Sequence, residues 1–171
     1  MSDKLIIYYS RSGENYSNGD IVNLEVGNCE IVAKYIQEIT NADIFKVETL
    51  KDYPLDYMET TEVAKKELND NYRPELKKEL DNIDAYSTVY IVSPNWWGTL
   101  PMAMFTQLEK LNFDSVNVKT IITHEGSALG ESMKDISKLC KNANIFNGLA
   151  IHGSEVEQSL NKVKEYVNKQ G

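Results

Sequence analysis

The chain has 171 residues, 42% of them hydrophobic and 26% charged, with a formal net charge of −8 and a pI near 4.8. This length suits one domain, expected over residues 1–171, with enough mass to bury a core. The acidic balance works against nucleic acid and anionic lipid as partners, and no apolar run approaches the roughly 20 residues of a membrane helix.

Met1-Ser2-Asp3-Lys4 runs into a short apolar stretch with no cleavage-site pattern behind it, so a cytoplasmic protein is expected. The two cysteines, Cys29 and Cys140, form no C-x-x-C and supply neither a thioredoxin pair nor a zinc ribbon. His124 and His152 are too few and too scattered in sequence to suggest a metal site.

Leu5-Ile6-Ile7-Tyr8-Tyr9 is a β-branched and aromatic run, the pattern of a strand buried on both faces. A Ser/Gly/Asn-rich stretch follows. Ile31, Val32, Tyr35, Ile36 and Ile39 recur at helical spacing from about Cys29 to Thr40. Asp43 to Glu48 reads as a half-exposed second strand, and Asp56 to Asp70 as a helix rich in Glu, Lys, Leu and Ala. A long polar connection carries Arg73-Pro74, Leu76, Leu80 and Ile83 to a third strand, Thr88 to Val92. Pro101 is expected in the first turn of a helix that runs to about Leu111. Val118 to Thr123 is a fourth strand, Gly130 to Cys140 a helix, and Ile145 to Ile151 a fifth strand. Ser154 with Glu157 three residues on suggests a capping box for a last helix that reaches the terminus. The order βαβαβαβαβα implies a parallel sheet with helices on both faces.

In such a sheet ligands sit outside the carboxyl ends of the strands, so the loops after them carry the chemistry. Three are unusual. Ser10-Arg11-Ser12-Gly13-Glu14-Asn15 could converge amides and hydroxyls on an anion, assisted by a helix N-terminus. That helix is delayed by Tyr16 to Val26, with an Asn18-Gly19 turn signal, until Gly27-Asn28-Cys29. The expectation is a cradle in two pieces with the intervening segment looped out; the bland alternative is a surface loop. Ser93-Pro94-Asn95-Trp96-Trp97-Gly98-Thr99-Leu100-Pro101 places both tryptophans side by side in a proline-stiffened loop, suited to a flat aromatic ligand. An aromatic plug or a protein-docking patch is the alternative. Thr123-His124-Glu125-Gly126-Ser127-Ala128-Leu129-Gly130 could offer backbone donors along a ligand edge, or simply start a helix.

Several classes are excluded. The stretch 126–130 is not G-x-S-x-G, so no nucleophile elbow is present. No G-x-x-x-x-G-K-[ST] and no G-x-G-x-x-G follow a strand, which removes P-loop NTPases and dinucleotide folds of the NAD type. Val92-Ser93-Pro94 and Tyr9-Ser10-Arg11 lack the acidic residues of a receiver domain.

Together these loops resemble the flavodoxin family, whose phosphate loop has the form [ST]-x-[ST]-G-N-T. Ser10-Arg11-Ser12-Gly13 matches its first part and Gly27-Asn28-Cys29 its second, displaced by the insertion. A branch with a split loop, Pro-x-Trp-Trp-Gly and His-Glu-Gly-Ser is the nearest likeness, from Leu5 to the last helix. The resemblance implies a doubly wound five-stranded parallel sheet of order 2-1-3-4-5 and FMN as cofactor, with no second nucleotide-binding unit for FAD. It implies that Ser10, Ser12 and Asn28 hold the phosphate, beside Arg11, Asn15 and Cys29. Pro94, Asn95, Trp96, Trp97, Gly98 and Thr99 would line the isoalloxazine, and His124, Glu125, Gly126, Ser127 and Gly130 would cover its other edge. Cys29 stands where the family has Thr, and a thiol is the weaker donor. Glu14 is expected to point away from a phosphate. The implied function is electron transfer through FMN with redox partner proteins of basic docking surface. The alternative is an FMN-dependent NAD(P)H/quinone-type oxidoreductase.

Overall fold

Strand β1 (Lys4–Tyr8) is buried from Leu5 onward and lies inside a parallel sheet. Its partners are β4 (Asp43–Lys46) on one side and β5 (Thr88–Pro94) on the other. Beyond β5 runs β6 (Asn117–His124), and β6 carries on its outer edge both β7 (Asn144–Ile145) and β8 (Leu149–His152). The order is thus β4-β1-β5-β6, then the split last strand. A computed structural model describes residues 2–169.

Alternation along the strands feeds two cores. Leu5, Ile7, Val89, Ile91 and Ile122 point to the face covered by α3 (Met102–Leu108) and α4 (Ser132–Leu139). Ile6, Tyr8, Tyr90 and Val92 point to the face covered by α1 (Asn28–Thr40) and α5 (Leu160–Val167). Helix α2 (Tyr57–Asn69) starts on Asp56, whose side chain accepts from the Glu59 amide, and contacts α3. Among the described residues no helix is long and apolar enough to cross a membrane.

The structure corrects four details of the sequence reading. The segment after β1 is not a plain loop. It is an antiparallel hairpin, β2 (Gly13–Ser17) and β3 (Asp20–Leu24), turned at Asn18 and Gly19, both at positive φ (49° and 91°). Those angles define the tight turn that Asn-Gly favours. The fifth strand is broken: Val118 pairs with Ile145 but Ile121 with Leu149, so four steps oppose three across a one-residue bulge. A side chain at Gly148 in that bulge would meet the Met133 sulfur at 2.7 Å. Pro101 precedes α3 as its N-cap rather than forming its first turn. The Ser154 capping box is absent, because Gly153–Gln158 is a 3-10 turn capped by His152 and α5 begins only at Leu160. The 3-10 turn seats Val156 in the α1 core instead.

Candidate functional site

The N-terminus of α1 meets the carboxyl end of β1, and the split loop closes there. Gly27 has ordinary backbone angles (φ −66°, ψ 154°). A Cβ on it would lie 2.1 Å from Ser10 Oγ and 2.5 Å from the Arg11 carbonyl oxygen. Only glycine lets the two pieces touch. Ser10 Oγ accepts the Glu30 amide at 3.1 Å, and the Ile31 amide returns to the Gly27 carbonyl. The Asn28 and Cys29 amides precede the intrahelical ladder and point out of the helix end, where the dipole favours an anion.

The Trp loop is a second tight turn. Trp96 and Thr99 exchange backbone hydrogen bonds across Trp97 and Gly98, both at positive φ (55° and 91°). For tryptophan that conformation costs of order 1–3 kcal/mol. It throws the Trp97 ring outward, 49% exposed, with Nε1 donating to the Thr61 carbonyl on α2 at 2.8 Å and Lys65 Nζ 5.1 Å over the ring. Trp96 turns inward, edge-on to Tyr9 and Tyr53 at 5.1 and 5.3 Å. Asn95 joins this loop to the next: its Oδ1 accepts the Gly98 amide and its Nδ2 donates to the Ala128 carbonyl. Gly130 packs on the Gly98 carbonyl, 2.5 Å from where a Cβ would stand.

In the loop after β6, His124 Nδ1 accepts the Gly126 amide at 2.9 Å, which puts any single ring proton on Nε2. Burial first, and the His152 ring second, hold its pKa below the usual histidine value. The two imidazoles, distant in sequence, meet edge-to-face at 5.5 Å. No group of three or more His, Cys, Asp or Glu among the described residues could hold a metal.

These loops surround a cleft of about 480 Å³, within the roughly 300–1,000 Å³ of small-molecule sites. Arg11, Asn15, Asn28, Pro94, Asn95, Trp96, Trp97, Gly98, His124, Glu125 and Ser127 line it. Ser10, Thr99, Gly126 and Gly130 do not line it: Ser10 Oγ accepts the Glu30 amide at the α1 end, the Thr99 hydroxyl donates to Asp135, the Gly126 amide donates to His124, and Gly130 packs on the Gly98 carbonyl. Cys29 does not reach the cleft. It is 2% exposed, its sulfur 3.1 Å from Thr123 Oγ1, and burial pushes its thiol up to about 12. Ser12 is exposed and faces a separate depression beside Lys46 and Lys77. Glu14 turns away from the α1 end, accepting the Tyr57 amide at 2.8 Å.

The sequence reading missed one wall. Tyr57, Met58, Thr60, Thr61 and Ala64 of α2 line the cleft, as does Tyr16 of the hairpin. The loop after β4 ends at the same sheet edge because β4 neighbours β1, a placement that strand order alone predicts. The Asn18-Gly19 pair between Asn15-Tyr16 and Ile21-Val22 was the signal for the hairpin. Gly153 was also missed: a Cβ there would meet Glu125 Oε2 at 2.1 Å and Asn28 Nδ2 at 2.8 Å.

A family profile described as Flavodoxin matches residues 23–170. The fold is similar to a crystal structure of a candidate flavoprotein from Bacteroides uniformis, with a TM-score of 0.74 and 22% identity, covering 98% of this chain and 99% of that one. It is also similar to a flavoprotein in complex with FMN from Lactobacillus acidophilus, with a TM-score of 0.63 and 22% identity over 92% of this chain and 98% of that one. An NAD(P)H:quinone oxidoreductase from Methanothermobacter marburgensis aligns at a TM-score of 0.51 and 9% identity, over 96% and 95% of the two chains. No curated protein matches the sequence. With its sheet, its split loop and a profile match over most of its length, the chain belongs to the flavodoxin family.

Proposed function

We propose that this chain binds FMN in the cleft and transfers electrons through it. The observation that carries the reading is the closure of the split loop at Gly27 against the open end of α1, next to a cleft with aromatic walls. The residues fit the cofactor. A phosphate suits the Asn28 and Cys29 amides at a helix N-terminus, with the Asn28 side chain and Arg11 lining the same space. A planar ring suits the Trp96-Trp97-Gly98 turn and the Thr123-to-Ser127 loop. Bound FMN supplies the one- and two-electron chemistry.

The protein's own residues position and shield. Arg11 ties the loop after β1 to α2 through the Glu14, Pro54 and Leu55 carbonyls. Asn95 fixes the Trp loop against the β6 loop. His124 offers an Nε2–H to the cleft while Gly126 occupies Nδ1. The donor is a basic redox protein drawn to the acidic surface, or NAD(P)H, in the cytoplasm. A second reading, an FMN-dependent oxidoreductase for small acceptors, is favoured by one observation: the exposed Trp97 ring leaves an aromatic face on the cleft accessible to solvent. Titrating FMN into the protein while following flavin fluorescence tests the common claim. Quenching with one equivalent bound supports it, and unquenched flavin overturns it. Oxidation of NAD(P)H by the holoprotein with a quinone present, and no partner protein, selects the second reading.

A further inference from the structure

We propose that Tyr16 and Tyr57 form a plate that binds a neutral planar aromatic molecule in the cleft, and that the β2–β3 hairpin exists to present it. The inference rests on the FMN reading and names the class of small molecule taken up beside the cofactor.

The hairpin is a strap held at both ends by carboxylates. At its base Glu14 accepts the Tyr57 amide at 2.8 Å, and at its tip the Asn18 amide donates to Glu125 at 2.9 Å. Strung between these clamps, Tyr16 lies on Tyr57 with ring centroids 6.1 Å apart and planes 26° from parallel. Both rings line the cleft, yet Tyr16 remains 40% exposed. Apart from Asn15 on β2, the residues assigned to FMN come from α1 and the loops after β1, β5 and β6, whereas this plate comes from the hairpin and α2. Met58, 56% exposed beside Tyr57, adds an adaptable apolar surface.

Charge decides which aromatic molecule fits. The hairpin and the stretch from Asp56 to Lys66 carry Glu14, Asp20, Asp56, Glu59 and Glu62 against Lys65 and Lys66, with Arg11 tied to the Pro54 and Leu55 carbonyls beside them, so the rim keeps a net negative charge. Lys65 already sits over the Trp97 ring. An anionic ring is repelled by this rim and a neutral one is not. Stacking tolerates any flat π-system, so selection is by shape and charge.

The test uses FMN-loaded protein, oxidised, with naphthoquinone and naphthalenesulfonate as probes, read by equilibrium dialysis. Naphthoquinone is expected to bind and the sulfonate to bind at least tenfold more weakly. Tyr16→Ala is expected to weaken naphthoquinone about tenfold and Tyr16→Phe less than threefold, with FMN affinity changed less than threefold in either. Equal binding of the two probes, or an alanine variant indistinguishable from wild type, overturns the inference. So does a loss of FMN affinity as large as the loss of naphthoquinone. Wild-type protein that takes up no FMN overturns the flavin reading instead, so the two failures are distinct.

Discussion

The sign of one substitution, Gly27→Ala, tests how the cradle is built. Gly27 sits at φ −66°, a conformation alanine adopts freely. On backbone entropy alone the change should stabilise the protein by about 0.4–1 kcal/mol. The structure demands the opposite. The new Cβ would lie 2.5 Å from the Arg11 carbonyl oxygen and 2.1 Å from Ser10 Oγ. Ordinary contact begins near 3.5 Å, so the Arg11 backbone must retreat by about 1 Å. Ser10 would retreat with it and release the Glu30 amide, a capping loss of about 1 kcal/mol. The net expectation is a destabilisation of about 1–2 kcal/mol, which for a chain of this size lowers Tm by roughly 2–8 °C. The two pieces of the cradle also separate, so FMN affinity should fall at least tenfold, about 1.4 kcal/mol. Thermal melts of the apoprotein and flavin fluorescence titrations read the two effects independently. A variant with raised Tm and unchanged FMN affinity would falsify the claim that the pieces must touch.

Ser10→Ala removes only the cap on Glu30 and should lower stability by about 1 kcal/mol in a denaturant titration; an unchanged midpoint would mean the hydroxyl caps nothing. Gly130→Ala is doubly disfavoured, with φ at +52° and the Gly98 carbonyl 2.5 Å from the new Cβ, and should cost more than about 1 kcal/mol while weakening FMN. His124 has a folded pKa below its unfolded value near 6.5. The unfolded chain therefore binds more protons as pH falls, and stability present above about pH 6.5 is lost as pH drops through the folded value. A His124→Asn variant, which keeps an acceptor for the Gly126 amide, should flatten that part of the Tm–pH profile; an unaltered acid limb would assign it to other groups. Cys29 and Cys140 are both buried, with thiols pushed up to about 12, and should resist Ellman's reagent until the chain is unfolded in urea. Prompt native-state reaction of either would contradict the packing.

Strand and helix positions were legible because periodicity reports burial, and every parallel strand here is buried or half-buried. β1 and β5 read as unbroken apolar runs because cores lie on both sides of them. The β7–β8 break did have a signal: Asn147-Gly148 interrupts the apolar run from Ile145 to Ile151, and a lone glycine inside a strand pattern marks a bulge. The Trp loop could be recognised as a site, but not that its two rings diverge. That follows from the positive φ of Trp97, a conformation composition does not suggest for tryptophan. Cys29 illustrates the converse. Its place in the motif drew it toward the ligand, while its position on α1 turns its side chain into the core and leaves only its amide at the helix end.

The hairpin changes how the acidic residues of the cleft should be read. By charge alone, Glu14 and Glu125 beside the helix end proposed to take the phosphate are a contradiction, because each would repel it. The structure resolves it through hydrogen bonding. Glu14 is turned to the Tyr57 amide at the start of α2, and Glu125 accepts the Asn18 amide at the hairpin tip. A carboxylate that accepts a backbone amide is locally compensated and fixed in direction. The eleven-residue interruption, Tyr16 to Val26, and these two glutamates therefore belong together. An insertion that splits the phosphate loop is tolerable because Gly27 rejoins its pieces. It gains a role because the carboxylates that would otherwise oppose the anion are the groups that hold the strap, and Tyr16 with it, across the cleft.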